Sequence, residues 1–503
     1  MADPKGFLKV GRELPPRRSV EERKTDWIEL YEVFPEDRIK AQASRCMDCG
    51  IPFCHNGCPL GNIIPDWNDL TYRGRWKEAL AELHSTNNFP EFTGKLCPAP
   101  CESACVLGIN QDPVAIRRIE ESLALKGWEE GWIVPEPPEV RTGKTVAVVG
   151  SGPSGLAAAQ QLNRSGHSVT VFERAEKPGG LLRYGIPDFK MEKRFVEKRV
   201  EQMEAEGIVF RTSCNVGVDI TGKELKTQFD AIVLSGGSTI SRDLTHNGRA
   251  DGVALEGRRE YESQILSAMD FLPQQNKMVS GEWSSQAPQV TAEGKKVVIL
   301  GGGDTGADCL GTVHRQGATE VYQFEIMPKP PTDRPEETPW PLYPMIMRTS
   351  AAHEEGGKRD WSVSTKKFTG DNGTLKKLHG VRVEFVVKAG GRPEMVEIPD
   401  SEFEIECDLV LLAMGFLHPQ QAGIVEQLGL ELDGRGNVKA TTDDYQTSAP
   451  NVFACGDMRR GQSLIVWAIA EGRECAAAVD RHLEGSTLLP RAGAVVAREL
   501  AIA

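Results

Sequence analysis

The sequence predicts an α/β chain in which a helical, cysteine-rich block precedes two parallel-sheet units. Three observations carry this. Seven of the twelve cysteines lie between Cys46 and Cys105, in a stretch almost free of strand-like runs. A short apolar run, a glycine-rich turn, an Ala/Leu-rich segment and a second apolar run then follow one another over 145–173. The same order recurs over 296–325. Strands buried on both faces read as continuous apolar runs, and a parallel pair needs a crossover helix between its members.

Composition narrows the function. The 503 residues suffice for about three domains. With 59 basic and 72 acidic residues, the net charge of −13 argues against a nucleic-acid partner, which needs a basic surface. No apolar run approaches the ~18 residues of a membrane span. Residues 1–24 show no apolar stretch of the secretory kind, so a cytoplasmic protein is expected. In that reducing compartment, close-set cysteines point to metal rather than to disulfides. The scattered five (Cys214, Cys309, Cys407, Cys455 and Cys475) read as small core residues.

Taken in order, 1–142 forms one block, with helices expected at 75–84 and 114–125 and a proline-rich linker at 134–140. Strand, helix and strand follow at 145–149, 152–162 and 168–173, and again at 296–300, 304–316 and 320–325. Seven prolines between Pro328 and Pro344 exclude helix there. Residues 411–416 read as a strand and turn leading back to the first unit, 463–468 as the start of a helix, and the stretch from 484 as a loose tail.

Gly150-Ser-Gly152-Pro153-Ser154-Gly155 follows a strand and opens a helix, with Glu173 at the end of the next strand. Each part has a task. The first glycine makes the turn, the second admits a pyrophosphate, and the third packs helix on strand. The helix N-terminus faces the phosphates, and the acid accepts from ribose hydroxyls. Gly301-Gly-Gly303-Asp304-Thr305-Gly306 repeats the pattern, with Glu325 in the acid position. Glu325 favours NADH; Lys329, Arg334 and Arg348 lie just beyond it and suit the 2′-phosphate of NADPH. The expected donor is NADPH, with NADH as the alternative.

Other segments carry resemblances. Asn451-Val-Phe-Ala-Cys-Gly456-Asp457 resembles the flavin signature of two-dinucleotide flavoprotein reductases, and 177–185 resembles their stretch beside the flavin ring. That implies FAD in the first unit, on Gly180, Leu181, Arg183, Gly456, Asp457, Ser463 and Leu464 as well as the glycine loop. The cysteines are spaced Cys46-x2-Cys49-x4-Cys54-x3-Cys58-Pro, then Cys97-x3-Cys101-x3-Cys105. This resembles ferredoxin-type ligation of [4Fe–4S] clusters, one ligand short of the eight that two clusters need. Zinc is the competing metal.

Over 20–482 the chain resembles the family of glutamate synthase small (β) subunits, whose N-terminal domain is shared with dihydropyrimidine dehydrogenase. The resemblance implies two Rossmann-like domains behind an iron–sulfur domain. It assigns Cys46, Cys49, Cys54 and Cys105 to one cluster, and Cys58, Cys97 and Cys101 to the other with Glu120 as the eighth ligand. The implied domains are 1–142 for the clusters, 143–288 plus 436–485 for FAD, 289–435 for NAD(P)H, and a tail at 486–503. The implied activity is oxidation of NAD(P)H through FAD without a catalytic side chain. Electrons then pass to a large (α) subunit carrying FMN and a glutaminase site, for glutamate synthesis from glutamine and 2-oxoglutarate. Other acceptors (ferredoxin, sulfide or polysulfide, a pyrimidine) and a non-catalytic assembly role remain open at this level.

Overall fold

The computed structural model describes residues 3–246, 252–282, 290–387, 391 and 393–491. Most of the proposed tail, 492–503, lies outside the described residues. Among the described residues no helix is long and apolar enough to cross a membrane.

The first block is helical, as its composition requires. Its longer helices are Glu36–Ala43, Ile64–Tyr72, Trp76–Thr86, Pro90–Leu96 and Ile116–Glu129. Two of them begin with proline in the first turn, where the missing N–H costs nothing. Trp67, Leu83, Phe89, Phe92 and Ile119 fill their common core. The expected helices at 75–84 and 114–125 are present as Trp76–Thr86 and Ile116–Glu129, each starting one or two residues later and the second running four residues further.

The first parallel sheet has the order β16-β4-β1-β2-β3, formed by Val452–Ala454, Ala231–Leu234, Thr145–Val149, Ser168–Phe172 and Val209–Arg211. β1 lies at its centre, with Val148 opposite Val171 on one side and Val233 on the other. The helices Pro153–Arg164 and Ile465–Glu484 cover one face side by side. Gly472 sets their approach: a Cβ there would stand 2.2 Å from the Ser154 carbonyl oxygen.

The second parallel sheet runs β6-β14-β7-β8-β9, formed by Ile265–Ser267, Leu409–Leu412, Lys296–Leu300, Glu320–Glu325 and Lys358–Trp361. Helices Ala268–Val279 and Asp304–Arg315 cover one face. The other carries an antiparallel layer of β10 (Val363–Asp371), β11 (Thr374–Val387), β12 (Pro393–Glu397) and β13 (Phe403–Glu406). The chain crosses between units as a two-strand ribbon, β5 (Ile240–Ser241) against β15 (Phe416–His418). This corrects the expected insertion of 289–435. β6 brings the second unit back to Ile265, whereas Ile424, Val425 and Leu430 pack in the first unit's core. The crossing strands are too short for a sequence period to reveal.

Buried ions join the three parts. Glu91 of the first block takes a bidentate pair from Arg199 on the helix Arg194–Ala205, with both side chains almost fully buried. The segment around Arg23 straps the first block to the second unit. Arg23 Nε lies 2.9 Å from Glu355, Arg315 Nη1 lies 2.6 Å from the same carboxylate, and neither arginine side chain is more than 1% exposed. Arg23 also donates to the Ala351 carbonyl, and Arg315 to that of Asp26. Phe189, from the first unit, sits under the Arg315 guanidinium at 3.9 Å.

Breaking a buried pair leaves a charge without its partner. Arg23→Ala should therefore cost about 3 kcal/mol, the low end for such sites because Arg315 still holds Glu355. Arg38→Ala, which removes an exposed pair with Glu13, should cost under about 1 kcal/mol. Denaturant midpoints of the two variants check the difference.

Candidate functional site

The two glycine loops are built alike. Gly150 has φ +102°, and a Cβ on Gly155 would stand 2.0 Å from the Gly150 carbonyl oxygen, so neither position tolerates a side chain. The helix Pro153–Arg164 then starts at Gly152 with no side-chain cap, leaving its first N–H groups for a ligand. Glu173 is buried at the end of β2. Its Oε2 accepts from the Ser151 N–H and hydroxyl, and its Oε1 from the Ala175 N–H.

This loop lines one cleft of about 610 Å³. Of the residues expected there, Gly150, Gly152, Pro153, Ser154, Glu173, Gly180, Leu181, Asp457, Ser463 and Leu464 line it. Gly155 and Gly456 lie behind the wall, where side chains would strike Gly150 and Ser154. Arg183 is a correction. It is buried away from the cleft, donating to the Pro178 carbonyl and to Glu197. The sequence reading missed Ser235, Gly236, Ser238 and Thr239, which line the cleft just after β4, with Ser235 packed against the glycine loop. The small-residue run 235–239 was the signal. It also missed Leu96 and Pro98, which bring the cysteine block to the cleft, and Lys277, Pro273 and Met269 from the second unit.

Two features polarise the cleft. Asp457 accepts from Ser463 Oγ at 2.6 Å, and burial pushes its carboxyl up to about 7. The helix Ile465–Glu484 begins at Leu464 without a side-chain cap, so its positive end meets the cleft wall.

In the second loop Gly301 has φ +126°, and a Cβ there would stand 2.1 Å from the Ala413 carbonyl oxygen. Gly303 and Asp304 are exposed, Thr305 is half-buried and Gly306 is buried against Gly301. Asp304 reaches the main cleft. Glu325 Oε2 accepts from the Gly302 N–H at 2.6 Å, the counterpart of Glu173 and Ser151. Lys329 and Arg359 each lie 5.1 Å from the Trp361 ring, and Trp361 pairs with Glu325 across β8 and β9. Arg334 is a second correction. Its guanidinium donates to the Thr338, Leu342 and Ser103 carbonyls, pinning the proline-rich loop to the first block. His353 is tied through Gln323 to the Gly301 carbonyl, and burial pushes its imidazole down to about 4.

The cysteines form two sets. Cys46, Cys49, Cys54 and Cys105 surround one small, otherwise mainly apolar cavity. Cys58, Cys97, Cys101 and Glu120 surround another, with Asn62, Thr93 and Arg117. All seven thiols are free. Burial pushes the Cys58 thiol up to about 12. Glu120 is buried, and its Oε1 accepts from Asn87 and Thr93 at 2.8 Å each, which leaves Oε2 for the cavity. Among the described residues no three such side chains converge on the position of a single ion. Each set instead rings a space, as the four corners of an iron–sulfur cube require.

Comparisons with known proteins agree with this geometry. Residues 144–472 match the pyridine nucleotide-disulphide oxidoreductase family, and 23–132 match dihydropyrimidine dehydrogenase domain II, 4Fe-4S cluster. A glutamate synthase [NADPH] small chain of Mycobacterium tuberculosis is 59% identical over 97% of this chain and 98% of that protein. The small chain of Bacillus subtilis is 47% identical over 97% and 100%. A glutamate synthase [NADH] of Schizosaccharomyces pombe is 45% identical over 98% of this chain and 23% of its own length. Among solved structures, Mycobacterium tuberculosis FprA in complex with NADPH shares the fold, with TM-score 0.51 and 18% identity over 68% of this chain and 85% of that one.

Asp457 titrates higher in the folded chain than in the unfolded one, so its contribution to stability is full below about pH 4 and is lost as pH rises through about 7. In the ligand-free protein, wild type should lose stability relative to Asp457→Asn across that window. Parallel pH profiles of the two denaturation midpoints would rule this out.

Proposed function

The chain belongs to the glutamate synthase small-chain family. On that premise we propose that it is the electron-input subunit, which oxidises NADPH through FAD and passes electrons through two [4Fe–4S] clusters to a large subunit. The single observation carrying this reading is that the cleft adjoins one cysteine-lined cavity and that a second such cavity lies in the same block. Leu96 and Pro98, either side of Cys97, line the cleft, while Val466 lines the second cavity and its neighbours Leu464 and Ile465 line the cleft.

The residues fit the groups. A cleft of this volume with two uncapped helix N-termini on its walls suits a dinucleotide, whose pyrophosphate would take the first and whose flavin the second. Glu173, already oriented by Ser151, would accept from the adenosine ribose, and Asp457 with Ser463 would face the ribityl chain. When bound, FAD takes up a hydride equivalent from the nicotinamide and yields electrons singly to the clusters. No side chain need exchange a proton with the nicotinamide. The chain's task is to hold two rings in contact and to exclude water. Asp304 and Lys277 reach the cleft from the second unit, where the nicotinamide would enter. Glu325 orders the second loop, and Lys329 and Arg359 beside Trp361 are the cations available to a 2′-phosphate, because Arg334 is engaged elsewhere.

Cys58, Cys97, Cys101 and Glu120 would hold the cluster on the flavin side. Cys46, Cys49, Cys54 and Cys105 would hold the one facing the partner: Cys46 and Cys49 are half-exposed, and Ile51 beside them is 72% exposed. We further assign the partner the FMN and glutaminase site that glutamate formation requires, and the pair to the cytoplasm, in keeping with free clustered thiols. The domains follow the sheets, with the nucleotide-binding unit inserted between β5 and β15.

Anaerobic addition of NADPH to the purified holoprotein should bleach the flavin absorbance. A protein that holds flavin but is not reduced by NADPH would sink the assignment of the second loop. Glu120→Ala should lose about half of the iron with flavin retained, because one of two similar clusters loses a ligand. Full iron content in that variant would reduce Glu120 to a structural carboxylate.

A further inference from the structure

The cavity ringed by Cys46, Cys49, Cys54 and Cys105 is walled by apolar groups with one exception, Asn68. Asn68 stands on the helix Ile64–Tyr72 and is completely buried. Neither its Nδ2 nor its Oδ1 has a hydrogen-bond partner in the protein. A buried amide with both ends unsatisfied is costly, and native proteins rarely keep one without a ligand to meet it. The second cavity differs: there Asn62, Thr93 and Arg117 share the wall, and Glu120 is already bound by Asn87 and Thr93.

We propose that Asn68 Nδ2–H donates a hydrogen bond to a sulfur of the cluster held by Cys46, Cys49, Cys54 and Cys105, and so raises that cluster's reduction potential. The inference rests on the proposed cluster reading of the cysteine block. A thiolate-ligated cluster offers only acceptors at its surface, so the amide must present its N–H, and nothing in the protein ties it the other way. The reduced cluster carries one more negative charge than the oxidised one. A donor to sulfur therefore favours the reduced form, whereas the apolar wall disfavours it. Asn68 thus offsets, at one point, the penalty that the rest of the cavity imposes. It acts at the outer of the two sets, where electrons wait for the partner.

The test is an EPR-monitored redox titration of the holoprotein and two variants, with iron and flavin contents measured alongside. Asn68→Leu keeps the volume and removes the donor; Asn68→Gln keeps a donor. The leucine variant should show a more negative midpoint for the outer cluster and an unchanged one for the inner cluster. The glutamine variant should return part of the shift. Equal midpoints in wild type and Asn68→Leu would overturn the proposal while leaving the cluster reading intact. If the leucine variant fails to hold iron, wild type labelled with 15N in its asparagine amides decides. A 15N coupling on the outer-cluster signal that Asn68→Gln abolishes supports the bond, and its absence overturns it. A wild-type holoprotein without any cluster signal would overturn both readings together.

Discussion

Charge without solvent is the constraint on which this structure depends. Its three parts meet at seams closed by buried ion pairs, Glu91 with Arg199 and Arg23 and Arg315 around Glu355, and by a half-buried one, Lys190 with Asp308. Apolar seams slide, because dispersion contacts are non-directional and close to interchangeable. A bidentate pair in a dry seam has one geometry, and any other leaves an unpaired ion. Lys190 belongs to the segment beside the cleft and Asp308 to the helix that opens at the second glycine loop. Together with Phe189 beneath Arg315, they fix the second unit against the first. A chain whose groups must exchange electrons across fixed gaps gains more from such seams than from a few kcal/mol of stability.

The same logic shapes the two glycine loops. In each, a carboxylate at the end of the second strand accepts from a loop N–H: Glu173 from Ser151, and Glu325 from Gly302. The acid is therefore oriented before any ribose arrives, which lowers the ordering cost of binding. The loops differ in the chain behind them. Behind the first, 177–186 closes down over the cleft, with Gly180 packed on Gly152. Behind the second, the chain remains open and cationic around Trp361. A resident group needs the first arrangement, and a nucleotide that comes and goes needs the second.

Much of this was legible because the signals are local. Both strand–loop–helix units, both terminal acids, and the grouping of seven cysteines can be read within windows of about twenty residues, and the structure brings those residues together. The failures lie where geometry depends on distant partners. Arg334 resembled a phosphate ligand by position, but three carbonyls, one of them Ser103 from another block, take its donors. Arg183 sat inside a flavin-like motif, yet burial against Pro178 and Glu197 turns it away from the cleft. The antiparallel layer β10–β13 was not seen at all. Its strands are largely half-exposed or exposed and carry charge, lysine in β10 and β11 and glutamate in β12 and β13, so their alternation is weak against the apolar runs of the parallel sheets. The crossing ribbon of β5 and β15 is too short to have a period.

The eighth position of the cysteine block shows how a carboxylate can stand among thiols. A glutamate side chain is longer than a cysteine and has more rotamers to lose, so in place of a thiolate it would wander unless held. Asn87 and Thr93 hold it, both through Oε1, and both come from the segment that packs against its own helix. That packing is close: a Cβ on Gly94 would stand 2.7 Å from the Cα of Glu121. One oxygen is thereby committed to the protein, and the side chain shares its cavity with Cys58, Cys97 and Cys101. The proposed ligand role of Glu120 would thus require Asn87, Thr93 and Gly94 as much as the carboxylate itself, and a glutamate placed there without them would be only another buried acid.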